Sequence, residues 1–122
     1  MKFFDPLVLR WVSANQWVLE KELRCETFLG DVIYIPAGSS TDLASIPKII
    51  WPILSPAGPW ARSSVVHDEC YRNPSRKFTR ARCDEIFLEG MRADGVDVAS
   101  MKAIYTAVRA FGSSSYVRRQ LT

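Results

Sequence analysis

The single histidine of this chain, His67, sits in the run Val65-Val66-His67-Asp68-Glu69-Cys70-Tyr71, where an imidazole, a carboxylate, a thiol and a phenol fall within a little over one helical turn. A second run, Cys83-Asp84-Glu85-Ile86-Phe87, carries another thiol and another carboxylate. Side chains three and four residues apart share a helix face. If both runs are helical, His67, Cys70 and Tyr71 line one face while Cys83, Asp84 and Phe87 line the next. Two such helices facing each other bring an imidazole to a carboxylate, which is the minimum for activating water: the base takes a proton, and the acid sets its tautomer and steadies the imidazolium. The expected geometry has Nδ1 of His67 on Asp84, Nε2 facing a solvent-filled cleft, and Tyr71 also directed at Asp84.

Asp84 shares an apolar stripe with Cys83, Phe87, Leu88 and Met91, and a carboxylate facing a core needs a partner because burying an unpaired charge costs several kcal/mol. The same residues describe a buried structural hydrogen-bond network equally well. Asp68 reads as a metal ligand, as a solvated helix carboxylate or as a partner of Arg72 four residues on. Asp42 reads as a cap or turn residue, or as a second carboxylate for the site. His67, Asp68 and Asp42 together are a meagre set for zinc, which usually takes His or Cys ligands. Trp51 and Trp60 read as core or assembly-interface residues, with a membrane or substrate contact as the alternative.

The elements that would position these groups follow from periodicity. Residues 5 to 36 read as strands, with Leu7, Leu9 and Trp11 alternating, a longer run from Trp17 to Cys25, and Val32 to Ile35 closed by Pro36. Ser13-Ala14-Asn15 and Leu29-Gly30-Asp31 are the turns of what reads as an antiparallel meander. After Gly38 the pattern becomes helical. Thr41 or Asp42 caps a short turn, Ile46-Pro47 opens a brief helix, residues 60 to 72 carry His67 and stop at Asn73-Pro74, residues 79 to 93 carry Asp84, and a last helix from about Val98 ends at Gly112. The expectation is an α+β fold, an N-terminal antiparallel β meander packed against a C-terminal three-helix cluster. A single domain over 1–122 is expected, with strands in 1–40, helices in 41–112 and a tail over 113–122 that is loose or docks on a neighbouring subunit.

At 122 residues and 48% hydrophobic the chain can bury one core. Its formal charge of +3 is mild, and the cluster of Arg72, Arg76, Lys77, Arg80 and Arg82 reads as a solvated rim or an anion contact. No nucleic-acid motif is visible, so nucleic-acid binding is not expected. No apolar run approaches the ~20 residues of a membrane span. The start, Met1-Lys2-Phe3-Phe4-Asp5-Pro6, is no secretory signal, which implies synthesis in a cytoplasm, where three cysteines normally stay reduced.

His67, Asp68, Cys70, Tyr71, Cys83 and Asp84 together resemble the secreted phospholipase A2 superfamily, whose active-site helix reads His-Asp-x-Cys-Tyr and whose partner helix reads Cys-Asp. The resemblance implies His67 as general base for water, Asp84 as the group that orients it, Tyr71 bonded to Asp84, calcium on Asp68, and a disulfide between Cys70 and Cys83. That family's calcium loop is rich in glycine, whereas Ser55-Pro56-Ala57-Gly58-Pro59-Trp60 offers one glycine between two prolines.

A second resemblance runs from about residue 30 to 112. Thr41-Asp42-Leu43-Ala44-Ser45-Ile46-Pro47, His67-Asp68-Glu69-Cys70-Tyr71 and Ala107-Val108-Arg109-Ala110-Phe111-Gly112 are similar to the signature of a family of small tailed-phage and prophage proteins of uncharacterised function. It implies a virion protein of the tail tip or baseplate, made in a host cytoplasm, with other tail proteins and the host envelope lipid or cell wall as partners. The expected function is a tail-associated hydrolase acting on the host envelope through a His-Asp pair. The alternatives are a structural virion component with a relict site and a cell-wall peptidase.

Overall fold

The structure is a computed structural model that describes residues 1–14, 16–41, 51–55, 57–72, 77–113 and 116. The chain is α+β. Six short strands come first, β1 (Lys2–Phe3), β2 (Leu9–Ser13), β3 (Gln16–Leu19), β4 (Leu23–Glu26), β5 (Val32–Ile35) and β6 (Ser40–Thr41). Three helices follow, α1 (Ala61–Arg72), α2 (Arg80–Ala93) and α3 (Val98–Phe111).

The strands form two antiparallel three-stranded sheets, in the orders β1-β4-β5 and β2-β3-β6, where the sequence suggested one meander. The run from Trp17 to Cys25 is cut in two at Glu20-Lys21-Glu22, three consecutive charged residues with no buried face, and its halves join different sheets. Leu19 is tied to the Pro36–Ser40 connection, donating to Ser39 O at 2.9 Å and accepting from Gly38 N at 2.8 Å. That connection delivers β6 to β3, pairing Thr41 with Trp17. Thr41 is therefore a strand residue, and the short turn it was expected to cap lies outside the described residues. Asp42 and the brief helix expected at Ile46-Pro47 lie outside the described residues.

β4 and β5 show the alternation expected of a half-buried sheet. Leu23, Cys25, Ile33 and Ile35 point inward while Arg24, Val32 and Tyr34 face out. The inward set packs on α1 through Val65, Val66 and Cys70 and on α2 through Cys83 and Ile86. A second core cluster joins Trp60 to Phe87 and Met91 of α2 and to Met101, Ile104 and Val108 of α3. No helix among the described residues is long and apolar enough to cross a membrane.

Local signals set the helix ends. Thr79 caps α2 by accepting from Arg82 N at 3.1 Å, and Asp97 caps α3 by accepting from Ser100 N at 2.9 Å. Between them the chain turns through Gly95 at φ +71°, a left-handed conformation that favours glycine. Of the expected tail, Tyr116 is docked on the domain, donating to Phe78 O at 3.0 Å.

α1 is buried on nearly every side, including Ser63 and Ser64 as well as Val65 to Asp68. It lies close to α2 because Gly90 faces Ser63, where a β-carbon on Gly90 would sit 2.7 Å from Ser63 Oγ and 3.0 Å from Ser63 Cβ. Gly90→Val is expected to destabilise the domain by about 1–3 kcal/mol through overpacking at this crossing. Adding Ser63→Ala should recover part of that loss in urea melts, and an unchanged midpoint in Gly90→Val would show that the crossing is slack.

Candidate active site

The α1–α2 crossing that Gly90 permits brings the two expected runs together. Nε2 of His67 lies 2.6 Å from Oδ1 of Asp84, and the Tyr71 hydroxyl donates to the same oxygen at 2.5 Å. Asp84 has no exposed surface and His67 is 1% exposed. Phe87, one turn beyond Asp84 on α2, stacks on the imidazole at 4.7 Å between centroids, and the Tyr71 ring meets it at 4.1 Å. The two aromatic contacts and the hydrogen bond to Asp84 help to fix the ring orientation.

The ring nitrogen on Asp84 is Nε2, where Nδ1 was expected. Burial pushes the Asp84 carboxyl up, but the hydrogen bonds from His67 and Tyr71 together with the Arg109 guanidinium outweigh burial and hold it below its ordinary value. An ionised carboxylate only accepts, so Nε2 carries the proton of this hydrogen bond. The expected open cleft at the ring is not there either, because the imidazole is enclosed by α1, α2 and their neighbours. Open grooves lie elsewhere, one between the Thr27–Gly30 turn and α2 and one between β5 and Cys70 of α1, and neither is lined by His67 or Asp84.

Sequence reasoning gave Arg109 no role at the site and counted Arg80 in a solvated rim or anion contact, yet both face Asp84. Arg109 of α3 donates from Nη1 to Oδ2 at 2.8 Å, and Arg80 lies 3.7 Å from the same oxygen. Arg80 also donates to the carbonyl oxygens of Val108 and Arg109 at 3.2–3.3 Å, capping the last turn of α3. Gly112 is required here because a β-carbon on it would lie 2.8 Å from the Tyr71 hydroxyl and 2.6 Å from Val108 O. The signal was present as the run Ala107 to Gly112, which carries one cation and one glycine at the end of an amphipathic helix.

Asp68 is neither a solvated carboxylate nor the partner of Arg72. It is buried on the far side of α1 and accepts from Thr41 Oγ1 of β6 at 2.8 Å, while Arg72 sits 3.8 Å from Glu69 and donates to Ser40 O at 3.3 Å. The solvated reading fails because α1 has hardly any exposed face. Gly58 serves the packing of Trp60, since a β-carbon on it would lie 2.2 Å from the indole ring, and the indole N–H donates to Ser55 O at 2.7 Å. Trp60 itself is a core residue. Among the described residues no three His, Cys, Asp or Glu side chains are grouped to hold a metal ion.

Cys70 and Cys83 meet across the crossing, as the expected pairing requires, but as free thiols. The hydrogen bond between them and their burial push the Cys70 thiol up, and burial pushes Cys25 up to about 12. Neither Cys25 nor Cys70 is poised as a thiolate nucleophile.

The three runs that carried the phage-protein resemblance are therefore linked through two carboxylates, Asp68 and Asp84. Thr41 reaches Asp68, His67 and Tyr71 reach Asp84, and Arg109 reaches Asp84 from the other side. The model of a protein family of unknown function, DUF1353, matches residues 17–108. The chain belongs to the DUF1353 family. The matched segment holds Thr41, His67, Asp68, Tyr71 and Asp84 and stops one residue before Arg109. An uncharacterised protein of Sinorhizobium fredii, y4jT, is 38% identical over 80 residues, which cover 64% of this chain and 23% of that protein. The chain thus spans under a quarter of the length of the relative it matches. No solved structure matches.

Asp84 titrates below its unfolded value, so its contribution to stability is complete above the ordinary carboxylate range and is lost as the pH falls through the depressed folded value. Tyr71→Phe removes one donor from Oδ1 and should cost about 2 kcal/mol at pH 7. It should also move acid unfolding to higher pH, and an acid transition identical to wild type would show that the phenol does not hold the carboxylate. Alkylation in denaturant without reductant should label all three cysteines, and a chain labelled once would show a Cys70–Cys83 bond instead.

Proposed function

We propose that the protein is a hydrolase in which His67, oriented by Asp84, takes a proton from water at Nδ1 while the water oxygen attacks the carbonyl carbon of an ester in a host-envelope lipid. The tetrahedral adduct collapses with cleavage of the acyl–oxygen bond, and the imidazolium returns the proton to the leaving alcohol, giving one acid and one alcohol from ester and water. The observation that carries the reading is the 2.6 Å contact of Nε2 with an Asp84 oxygen that also holds the Tyr71 hydroxyl. A carboxylate so placed fixes the tautomer and steadies the imidazolium.

The setting we propose is the virion of a tailed phage, at the tail tip or baseplate, with other tail proteins and the host envelope as partners. What supports it is the similarity of the Thr41, His67 and Arg109 runs to small phage proteins, whose shared residues are here linked through two carboxylates, Asp68 and Asp84. A breach of the envelope is work done where the tail meets the cell.

The burial of the whole pair favours a second reading, a structural network with no turnover, because His67 and Asp84 have 1% and 0% of their surface exposed. His67→Gln separates the two. Glutamine keeps an N–H hydrogen bond to Asp84 but cannot take up a proton from water, so the variant should fold while hydrolysis of phospholipid vesicles falls by about 10²- to 10⁴-fold. Equal turnover by both proteins, or none by wild type on vesicles or on peptidoglycan, would leave the structural reading standing.

A further inference from the structure

We propose that Arg109 is a positioning residue for the water-activating pair: its guanidinium takes Oδ2 of Asp84 and so turns Oδ1 onto Nε2 of His67. This rests on the hydrolase reading and extends it from α1 and α2 to a residue of α3. His67 and Tyr71 share Oδ1 at 2.6 and 2.5 Å, while Arg109 occupies Oδ2 at 2.8 Å. The terminal torsion of an aspartate is broad and roughly two-fold. A carboxylate held at one oxygen only can turn, and the imidazole then loses its fixed acceptor.

Arg109 is itself held in place. Arg80, one turn before Asp84 on α2, donates to the Val108 and Arg109 carbonyls at 3.3, 3.3 and 3.2 Å and so clamps the turn from which Arg109 projects. With its N–H groups given to α3, Arg80 stays 3.7 Å from Oδ2, and Arg109 is the cation that bonds the carboxylate. Among the described residues, the titratable and charged groups facing Asp84 are His67 and Tyr71 from α1, Arg80 from α2 and Arg109 from α3. The Arg109 side chain is 37% exposed. It is thus the most exposed of the groups around the carboxylate, ahead of Arg80 at 24%, and its replacement leaves the core packing of the crossing in place.

The test compares wild type with Arg109→Gln and Arg109→Met, which lack the cation, and with Arg109→Lys as the rescue. Carbon-13 NMR of the Asp84 carboxyl and nitrogen-15 NMR of the imidazole, the only one in the chain, need no substrate. Wild type and Arg109→Lys should show the Nε2–H tautomer and a depressed Asp84 titration. Arg109→Gln and Arg109→Met should show the Asp84 titration about half a pH unit or more higher and the ring divided between tautomers. Wild-type carboxyl and ring signals in both charge-lacking variants would overturn the proposal even if they melt lower, because a mere staple between helices costs stability without disturbing the pair. A variant only partly folded in buffer is measured in trimethylamine oxide, which favours the compact state. On a substrate hydrolysed by wild type, Arg109→Gln should lower kcat about 10- to 100-fold with KM little changed, and Arg109→Lys should restore most of it. The NMR signals decide the role of Arg109, and turnover decides the hydrolase reading, so either can fail without the other.

Discussion

Asp84 is a carboxylate with no exposed surface in the middle of a small domain, and taking such a charge out of water costs several kcal/mol unless its environment answers it. The answer comes from three helices: a ring N–H and a phenol from α1, one guanidinium from α3, and a second guanidinium on its own helix. Each helix is thereby committed to a particular rotation about its axis, since a turn of one residue would carry His67, Asp84 or Arg109 away from the centre. Apolar packing brings the helices together but tolerates many pairings of Leu, Ile, Val and Met. The charged centre tolerates far fewer.

Close approach is the second condition. The helices meet closely enough for a 2.6 Å contact because small residues stand where they cross: Gly90 against Ser63 between α1 and α2, and Gly112 against the Tyr71 hydroxyl at the end of α3. Arg80 ties the two conditions together, since the guanidinium that caps α3 also lies beside the carboxylate. The same construction suits a pair that works on water and a pair that only holds helices in register. Geometry favours the first and burial the second, and the difference lies in whether a proton moves at Nδ1.

Much of this was legible in the chain. The three helices appear within a residue or two of the spans that periodicity and the stops at Asn73-Pro74 and Gly112 implied, and the structure adds the caps at Thr79 and Asp97 and the turn at Gly95 that set their other ends. The pairing of His67 and Tyr71 with Asp84 was legible because a core-facing carboxylate must find a partner, and helical spacing offered only those few. Less legible were the strands. Alternation marks which residues form a strand but not which strand it joins, and the run from Trp17 to Cys25 was divided between two sheets by hydrogen bonds from a connection some twenty residues later.

What the sequence determined by itself was local: helix spans, the shared faces of His67, Cys70 and Tyr71 and of Cys83, Asp84 and Phe87, and the need of Asp84 for a partner. What only the tertiary structure decided was orientation and distant company. Which imidazole nitrogen meets Asp84 depends on how α1 is rotated against α2 and on Phe87 stacking over the ring. The burial of Asp68 on Thr41 depends on a strand that passes the far side of α1. Arg109 reaches Asp84 only because α3 folds back onto α2, bringing together residues 25 apart in sequence. Contacts of that kind leave no periodic trace, since they are set by the packing of whole elements and not by the order of neighbours along the chain.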